Sequence, residues 1–353
     1  MANSTITEQT KSQKDKPGSI FEGPIFLVGL PRSGTKLLRE LLNNHSRIAI
    51  TIKESNFLPY FYHRRNAYGP LDQPGNFDRF YKDFSETKFF KRLDESSRFI
   101  DKELWSRQIV DWSFAGVMEA FYKAYARHFN KQIWGDKTPS YLVQVPLLKS
   151  LFPGAKFIHI YRDGRDQALS IYKVYKKNIY TSAQRWTDGI MKFRRDAARF
   201  APGDTFEVQY EKLTDSTEET MRSICDWLGI PFEKELTEMN RTTEFLTGAA
   251  SKSTGILKKN HGKWQKELSP HQVARFEKIC GSLLADMGYP VSYKGPASRL
   301  NKLEMGYHTV LDAINQLIFE IGYRGRREGL KGFLQLRKKA WFYHDEGIEE
   351  KES

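Results

Sequence analysis

Gly29-Leu30-Pro31-Arg32-Ser33-Gly34-Thr35 brackets an arginine and a serine between two glycines, directly after an apolar run and directly before a helical pattern. A loop of this kind aims backbone N–H groups and a helix N-terminus at one point, which is how proteins hold phosphate-like anions. Its glycine spacing is that of a P-loop. A nucleoside-triphosphate site, however, needs lysine where Thr35 stands and a metal-binding hydroxyl where Lys36 stands. The cation has moved into the loop, as Arg32. Further along the chain Arg162 leaves a second apolar run, and Ser170 follows it in a helical pattern. The two motifs together could grip a ligand with two separate anionic groups. Glu54, just beyond the strand-like run in "IAITIKESNF", is placed to accept a proton at the same edge, unless it is a solvated carboxylate paired with Lys53. No His/Cys cluster or dense carboxylate group calls for a metal.

The elements that must carry these residues read as alternating strands and helices. "PIFLVG" is continuous and apolar, as a strand buried on both faces of a parallel sheet must be. "TKLLRELLNN" puts Leu37, Leu38, Leu41 and Leu42 on one helical stripe. The pattern recurs as a strand at 156–161, a turn on Asp163 and Gly164, and a helix from near Asp166 with Ser170 about one turn in. "TFEVQY" alternates as a further strand, followed by a helix stopped at Gly229 and Pro231. A late helix takes Ser269 as N-cap, Pro270 at its first position and Gly288 as C-cap. The expected fold is α/β, three layers (αβα) around a central parallel sheet. Residues 60–130 read as a helical insertion over the ligand edge, and 291–353 as a separate helical C-terminal extension. Residues 1–20 read as a disordered tail, leaving 22–290 as the main domain.

With 353 residues the chain can bury a core without metals or disulfides, so Cys225 and Cys280 are expected as buried free thiols. No apolar run has the length of a membrane span or a signal peptide, and the expected location is cytoplasmic. The formal net charge of +13 favours anionic partners. Residues 321–340 add seven Lys or Arg against one Glu, interleaved with Leu330, Phe333 and Leu334, a pattern suited to an anionic membrane surface or to covering the core.

"GLPRSGTKLL" resembles the 5′-phosphosulfate loop of the sulfotransferases that use 3′-phosphoadenosine 5′-phosphosulfate, PAPS, and "YRDGRDQALS" resembles their 3′-phosphate motif. The resemblance covers residues 22–290. It implies that Arg32, Ser33, Gly34, Thr35 and Lys36 surround the 5′ end of the donor and that Arg162 and Ser170 hold its 3′-phosphate. "WGDKTPSYL" resembles the family segment whose lysine lies near the transferred group, here Lys137. "VQYEKL" implies Tyr210 beside the adenine, with plain core packing as the alternative. "LKKNHGKWQKELS" resembles the basic loop that closes over the nucleotide, implying Lys258, Lys259, Gly262, Lys263 and Trp264, although the family's usual Arg-Lys-Gly start is absent.

By the same resemblance Glu54 is the general base, as in the glycan and protein-tyrosine branches, and Arg32 and Lys137 assist at the reacting group. His45 is the rival base, since small-molecule sulfotransferases often use histidine, but glycan-type relatives carry a structural histidine there. Asp136 either orients Lys137 or forms a strand-end ion pair. The implied activity is sulfuryl transfer from PAPS, without a metal, to a hydroxyl or amine of a small-molecule, lipid or glycan acceptor; nucleic acid is not expected as a partner. A P-loop kinase with Asp163 as metal carboxylate competes, as does a non-enzymatic anion-binding module. The first lacks lysine at Thr35, and the second leaves the paired motifs and Glu54 unused.

Overall fold

A computed structural model describes residues 21–73, 75–94, 100–239 and 255–324, so segment 1–20 and the basic segment beyond Arg324 lie outside the described residues. The chain runs through β1 (Ile25–Val28), α1 (Thr35–Asn43) and β2 (Ile48–Ile50). Helices α2 (Leu58–Arg64), α3 (Asn76–Ser85), α4 (Lys88–Asp94), α5 (Lys102–Ser106) and α6 (Phe114–His128) come next. Then follow β3 (Ile133–Lys137), α7 (Val145–Leu151), β4 (Lys156–Tyr161), α8 (Gly164–Tyr175) and α9 (Ile179–Ala197). They lead into β5 (Thr205–Gln209), α10 (Tyr210–Asp215) and α11 (Thr217–Leu228). Last come α12 (Trp264–Glu267), α13 (Pro270–Cys280), α14 (Leu283–Asp286) and α15 (Lys302–Arg324).

The strands form one parallel sheet in the order β2-β3-β1-β4-β5. All four residues of the central strand β1 are buried, which an unbroken apolar run demands. Alternation sends Ile25 and Leu27 to one face, with Ile133, Ile158 and Ile160, against leucines of α1 and Met221, Ile224 and Leu228 of α11. Phe26 and Val28 go to the other face. There the Phe26 ring stacks on Phe157 at 5.6 Å and meets Trp134 edge-on at 6.3 Å. Trp134 stacks on Tyr122 of α6 at 4.8 Å, and the aromatic packing continues through Phe57, Phe84, Trp105 and Phe121. The helices between β2 and β3 are thereby fixed to one face of the sheet.

Several boundaries differ from the sequence expectation. Helix α8 starts at Gly164, because the Asp163 carboxylate caps it by accepting the Arg165 N–H at 2.9 Å. Ser170 therefore lies in its second turn. β5 ends at Gln209 and Tyr210 opens α10, so Tyr210 sits on the helical shoulder beyond the strand. The late helix is broken at Gly281 (φ 58°), and Gly288 (φ 83°) follows the second piece, α14. Packing also continues past residue 290. Glu277 accepts the N–H groups of Ser292 and Tyr293, and Leu300 and Met305 join the core formed by α8, α9 and α13. Cys225 and Cys280 are free and buried, and burial pushes their thiols up to about 11 and about 12.

Because Phe26 joins the central strand to the aromatic layer, Phe26→Ala is expected to destabilise the domain by about 3–5 kcal/mol. Denaturant unfolding measures this, and a loss under about 1 kcal/mol would show that the aromatic layer stands without it.

Candidate functional site

The β1–β4 pairing builds the site. Val28 lies opposite His159, so the loop leaving β1 and Arg162 leaving β4 emerge together at the carboxyl edge of the sheet, where ligands of open α/β sheets bind. The first loop is turned by the Ser33 N–H donating to Leu30 O at 3.2 Å, with Arg32 left-handed at φ 73°. Gly34 caps α1 at φ 97°, and a Cβ there would lie 2.4 Å from the Tyr210 ring, so the position admits no side chain. Helix α8 fastens the loop from the other side. Arg32 Nε donates to Ser170 Oγ at 3.0 Å, and Gln167 Nε2 donates to Pro31 O at 2.8 Å.

Arg162 is buried over the Tyr210 ring at 4.5 Å and donates from Nη2 to Asn260 O at 2.7 Å. Asn260 Nδ2 in turn donates to the Tyr210 hydroxyl at 3.0 Å, and Lys263 Nζ donates to Asn260 Oδ1 at 2.6 Å. The Asp166 carboxylate accepts the N–H groups of Gly262 (2.5 Å) and Trp264 (3.0 Å). Arg165, itself paired with Asp163 and Glu277, lies over the Trp264 ring at 3.7 Å. The loop carrying Gly262, Lys263 and Trp264 is thus clamped to the first turn of α8. Lys258 and Lys259 are exposed on it, and the Lys259 N–H donates to Asp215.

The opposite wall holds a second arrangement. Lys137, fully buried at the end of β3, donates from Nζ to Glu54 Oε1 at 2.8 Å, whereas the Glu54 side chain is 43% exposed. A hydroxyl clamp fixes this pair. Thr138 Oγ1 accepts the Ser55 N–H at 2.9 Å and donates to Asp136 Oδ1 at 2.7 Å, and Tyr122 donates to Asp136 Oδ2 at 2.6 Å. Burial raises the Asp136 carboxyl above its ordinary range, opposed by the hydroxyls of Thr138 and Tyr122. Asp136 therefore braces the backbone on both sides of the Glu54–Lys137 pair.

A cavity of about 460 Å³ joins the two walls. Arg32, Lys36, Arg39 and Arg162 bring cations to it, Glu40 and Glu54 bring carboxylates, and Gly34, Thr35 and Tyr210 also line it. Ser33, Ser170, Lys137 and the loop residues Lys258, Lys259, Gly262, Lys263 and Trp264 are not in the lining; Ser170 and Lys137 touch it through Arg32 and Glu54. Burial, with Arg162 nearby, lowers the Arg32 guanidinium, against the opposing influence of Tyr175 and Tyr210. Ser33 Oγ and Arg162 Nε are buried with no hydrogen-bond partner among the described residues. An anionic ligand with two phosphate-like ends fits a site so arranged.

Two sequence candidates lie elsewhere. His45 is fully buried: Nδ1 accepts the Arg47 N–H at 3.0 Å, which leaves Nε2 to donate to Pro231 O at 2.9 Å. It ties the end of α1 to the segment after α11. Asp163, the metal carboxylate of the kinase alternative, is committed to Arg165 and the α8 cap. Sequence reasoning missed Asn260, Gln167, Asp166 and Arg39. All four lay within segments already singled out, Asp166 and Gln167 in "YRDGRDQALS", Arg39 in "TKLLRELLNN" and Asn260 in the basic loop, but their types carry no distinctive signal.

The profile of the sulfotransferase family matches residues 24–234. Among curated proteins, a protein-tyrosine sulfotransferase of Drosophila melanogaster is 27% identical over 215 residues, covering 59% of this chain and 38% of its own length. Nodulation protein NoeE of Sinorhizobium fredii is 25% identical over 296 residues, 76% of this chain and 66% of that protein. An uncharacterised protein of Aquifex aeolicus is 23% identical over 265 residues, 69% of this chain and 30% of its own length. The chain thus spans between about a third and two thirds of these relatives. The sulfotransferase domain from the curacin biosynthetic pathway superposes with a TM-score of 0.51 at 19% identity, covering 78% of this chain and all of that one, which is a likeness of fold.

Thr138→Val keeps the side-chain shape but removes the hydroxyl that links Ser55 to Asp136. The expected loss is about 1–3 kcal/mol of stability, with faster hydrogen exchange at the Ser55 amide. Unchanged exchange there would mean that the clamp does not hold the Glu54 segment.

Proposed function

The chain belongs to the sulfotransferase family, and on that premise we propose that it transfers a sulfuryl group from PAPS to an acceptor hydroxyl or amine. The observation that carries the proposal is the Arg32–Ser170 hydrogen bond of 3.0 Å, which joins the two anion motifs in one site. Arg32, Ser33, Gly34, Thr35 and Lys36 hold the 5′ end of the donor. Arg162 and Ser170 take the 3′-phosphate, Tyr210 borders the base, and the loop with Lys258, Lys259, Gly262, Lys263 and Trp264 covers the nucleotide. The bound donor supplies a sulfuryl group whose bond to the phosphate oxygen breaks as the acceptor oxygen or nitrogen bonds to sulfur, leaving adenosine 3′,5′-bisphosphate. Arg32 and Lys137 stabilise charge at the reacting end, and Glu54 takes the acceptor's proton.

The acceptor belongs to the small-molecule, lipid or glycan class. Glu54, 43% exposed and lining the cavity, meets an acceptor there, and Lys137 behind it orients the carboxylate. No helix among the described residues is long and apolar enough to cross a membrane.

Donor recognition is tested by calorimetry. Adenosine 3′,5′-bisphosphate should bind much more tightly than adenosine 5′-phosphate, and Arg162→Ala should weaken it by about 2–4 kcal/mol. Equal affinity with and without the 3′-phosphate would remove this reading.

Glu54→Gln keeps an oxygen for Lys137 but cannot take a proton, so turnover should fall about 10²–10⁴-fold while donor affinity stays close to native. Replacing His45 should instead cost stability and leave turnover nearly intact. Native turnover by the Glu54 variant on its acceptor would assign the base elsewhere.

A further inference from the structure

Helix α15 carries its apolar stripe on the wrong side. A helix resting on a domain ordinarily buries its apolar face. Here the inward face sets Met305 on the core but is otherwise held by polar contacts: Asp312 is 6% exposed and accepts the Asn178 N–H at 2.6 Å, and Gln316 Nε2 donates to Tyr175 O at 3.2 Å. Leu303, Tyr307, Val310, Ile314 and Ile318 face outward, 46–85% exposed. At 3.6 residues per turn these five positions fall within a sector of about 80°, and no other residue from 303 to 318 shares it. Scattered surface leucines need no explanation, but an uncharged stripe along four turns of helix does.

The charge around the stripe identifies what covers it. The α8–α9 turn, which meets α15 at Asp312 and Gln316, bears Lys176 and Lys177. The sequence continuing from α15 holds seven Lys or Arg against one Glu over 321–340, with Leu330, Phe333 and Leu334 between them. A second copy would set these cations, on chains of net charge +13, against their own kind. A bilayer with anionic headgroups offers both an apolar layer for the stripe and counter-charge for the flanks. α15 itself does not meet the requirement for crossing a membrane. We infer that the exposed face of α15 is a docking surface for an anionic lipid bilayer, on which the helix lies flat with its basic flanks at the headgroups. Through Gln316 and Tyr175, the latter in the cavity lining, the inward face of the same helix adjoins the site.

The inference does not depend on sulfuryl transfer, because its readout is sedimentation of the full chain with vesicles. Vesicles of phosphatidylcholine alone and with roughly 30% phosphatidylglycerol are compared, at low and at high salt. The chain should sediment with the anionic vesicles, less so at high salt. Val310→Glu combined with Ile314→Glu should weaken that binding at least about tenfold. Both positions are exposed, so the variant should melt like the parent, and its affinity for adenosine 3′,5′-bisphosphate reports an intact fold. A parent chain that stays in the supernatant with anionic vesicles, or a variant that binds them equally well, overturns the inference. So does a parent that sediments as a dimer without vesicles, fails to bind them, and becomes monomeric in the variant, since a second copy would then cover the stripe.

Discussion

Everything at the site depends on the hydrogen-bonded pairing of β1 with β4. Neither anion motif closes a ligand site alone: the first loop offers N–H groups and Arg32, the second offers Arg162 and the start of α8. Pairing sets their strand ends side by side, and the contacts of Arg32 with Ser170 and of Gln167 with Pro31 then lock α8 to the loop. The energy behind this placement is remote from the chemistry. It comes from the aliphatic residues on one sheet face and the aromatic stack around Phe26 and Trp134 on the other.

The site concentrates cations that the fold neutralises only in part. Buried arginines are expensive unless paired, and two solutions appear here. Arg165 is paired completely, with Asp163 and Glu277, and serves as a strut beneath Trp264. Arg162, in contrast, keeps Nε without a partner among the described residues and meets Asp166 only at 3.7 Å, because Asp166 is occupied by the N–H groups of Gly262 and Trp264. One carboxylate thereby anchors the covering loop and leaves the neighbouring guanidinium able to receive an anion. On the far wall the buried Lys137 holds Glu54, so a carboxylate faces the cavity in a fixed position with a cation behind it.

The helices between β2 and β3 bear on the site indirectly. None of the cavity lining comes from α2 through α6. Instead Tyr122 of α6 reaches under β3 to Asp136, and the Asp136–Thr138–Ser55 clamp carries that packing to the backbone beside Glu54. A rigid aromatic layer can in this way fix a cavity-lining carboxylate that sits on an irregular segment.

The sequence by itself determined the strand-loop-helix units, because an unbroken apolar run, a glycine-bounded turn and a 3.6-residue stripe are local patterns that short-range sterics and burial make unambiguous. Arg32, Gly34, Arg162 and Glu54 were legible for the same reason: each is a chemically distinctive residue at the end of such a unit. Element ends were less so, since Tyr210 and Gly164 answer to contacts with Gly34 and to the Asp163 cap. Only the tertiary structure decided partners. It paired Glu54 with Lys137, withdrew His45 and Asp163 from the cavity, enlisted Asn260 and Asp166, and turned the apolar stripe of α15 outward. Those outcomes depend on which strands pair and which helices pack, and long-range packing leaves no period or spacing in the chain from which to read them.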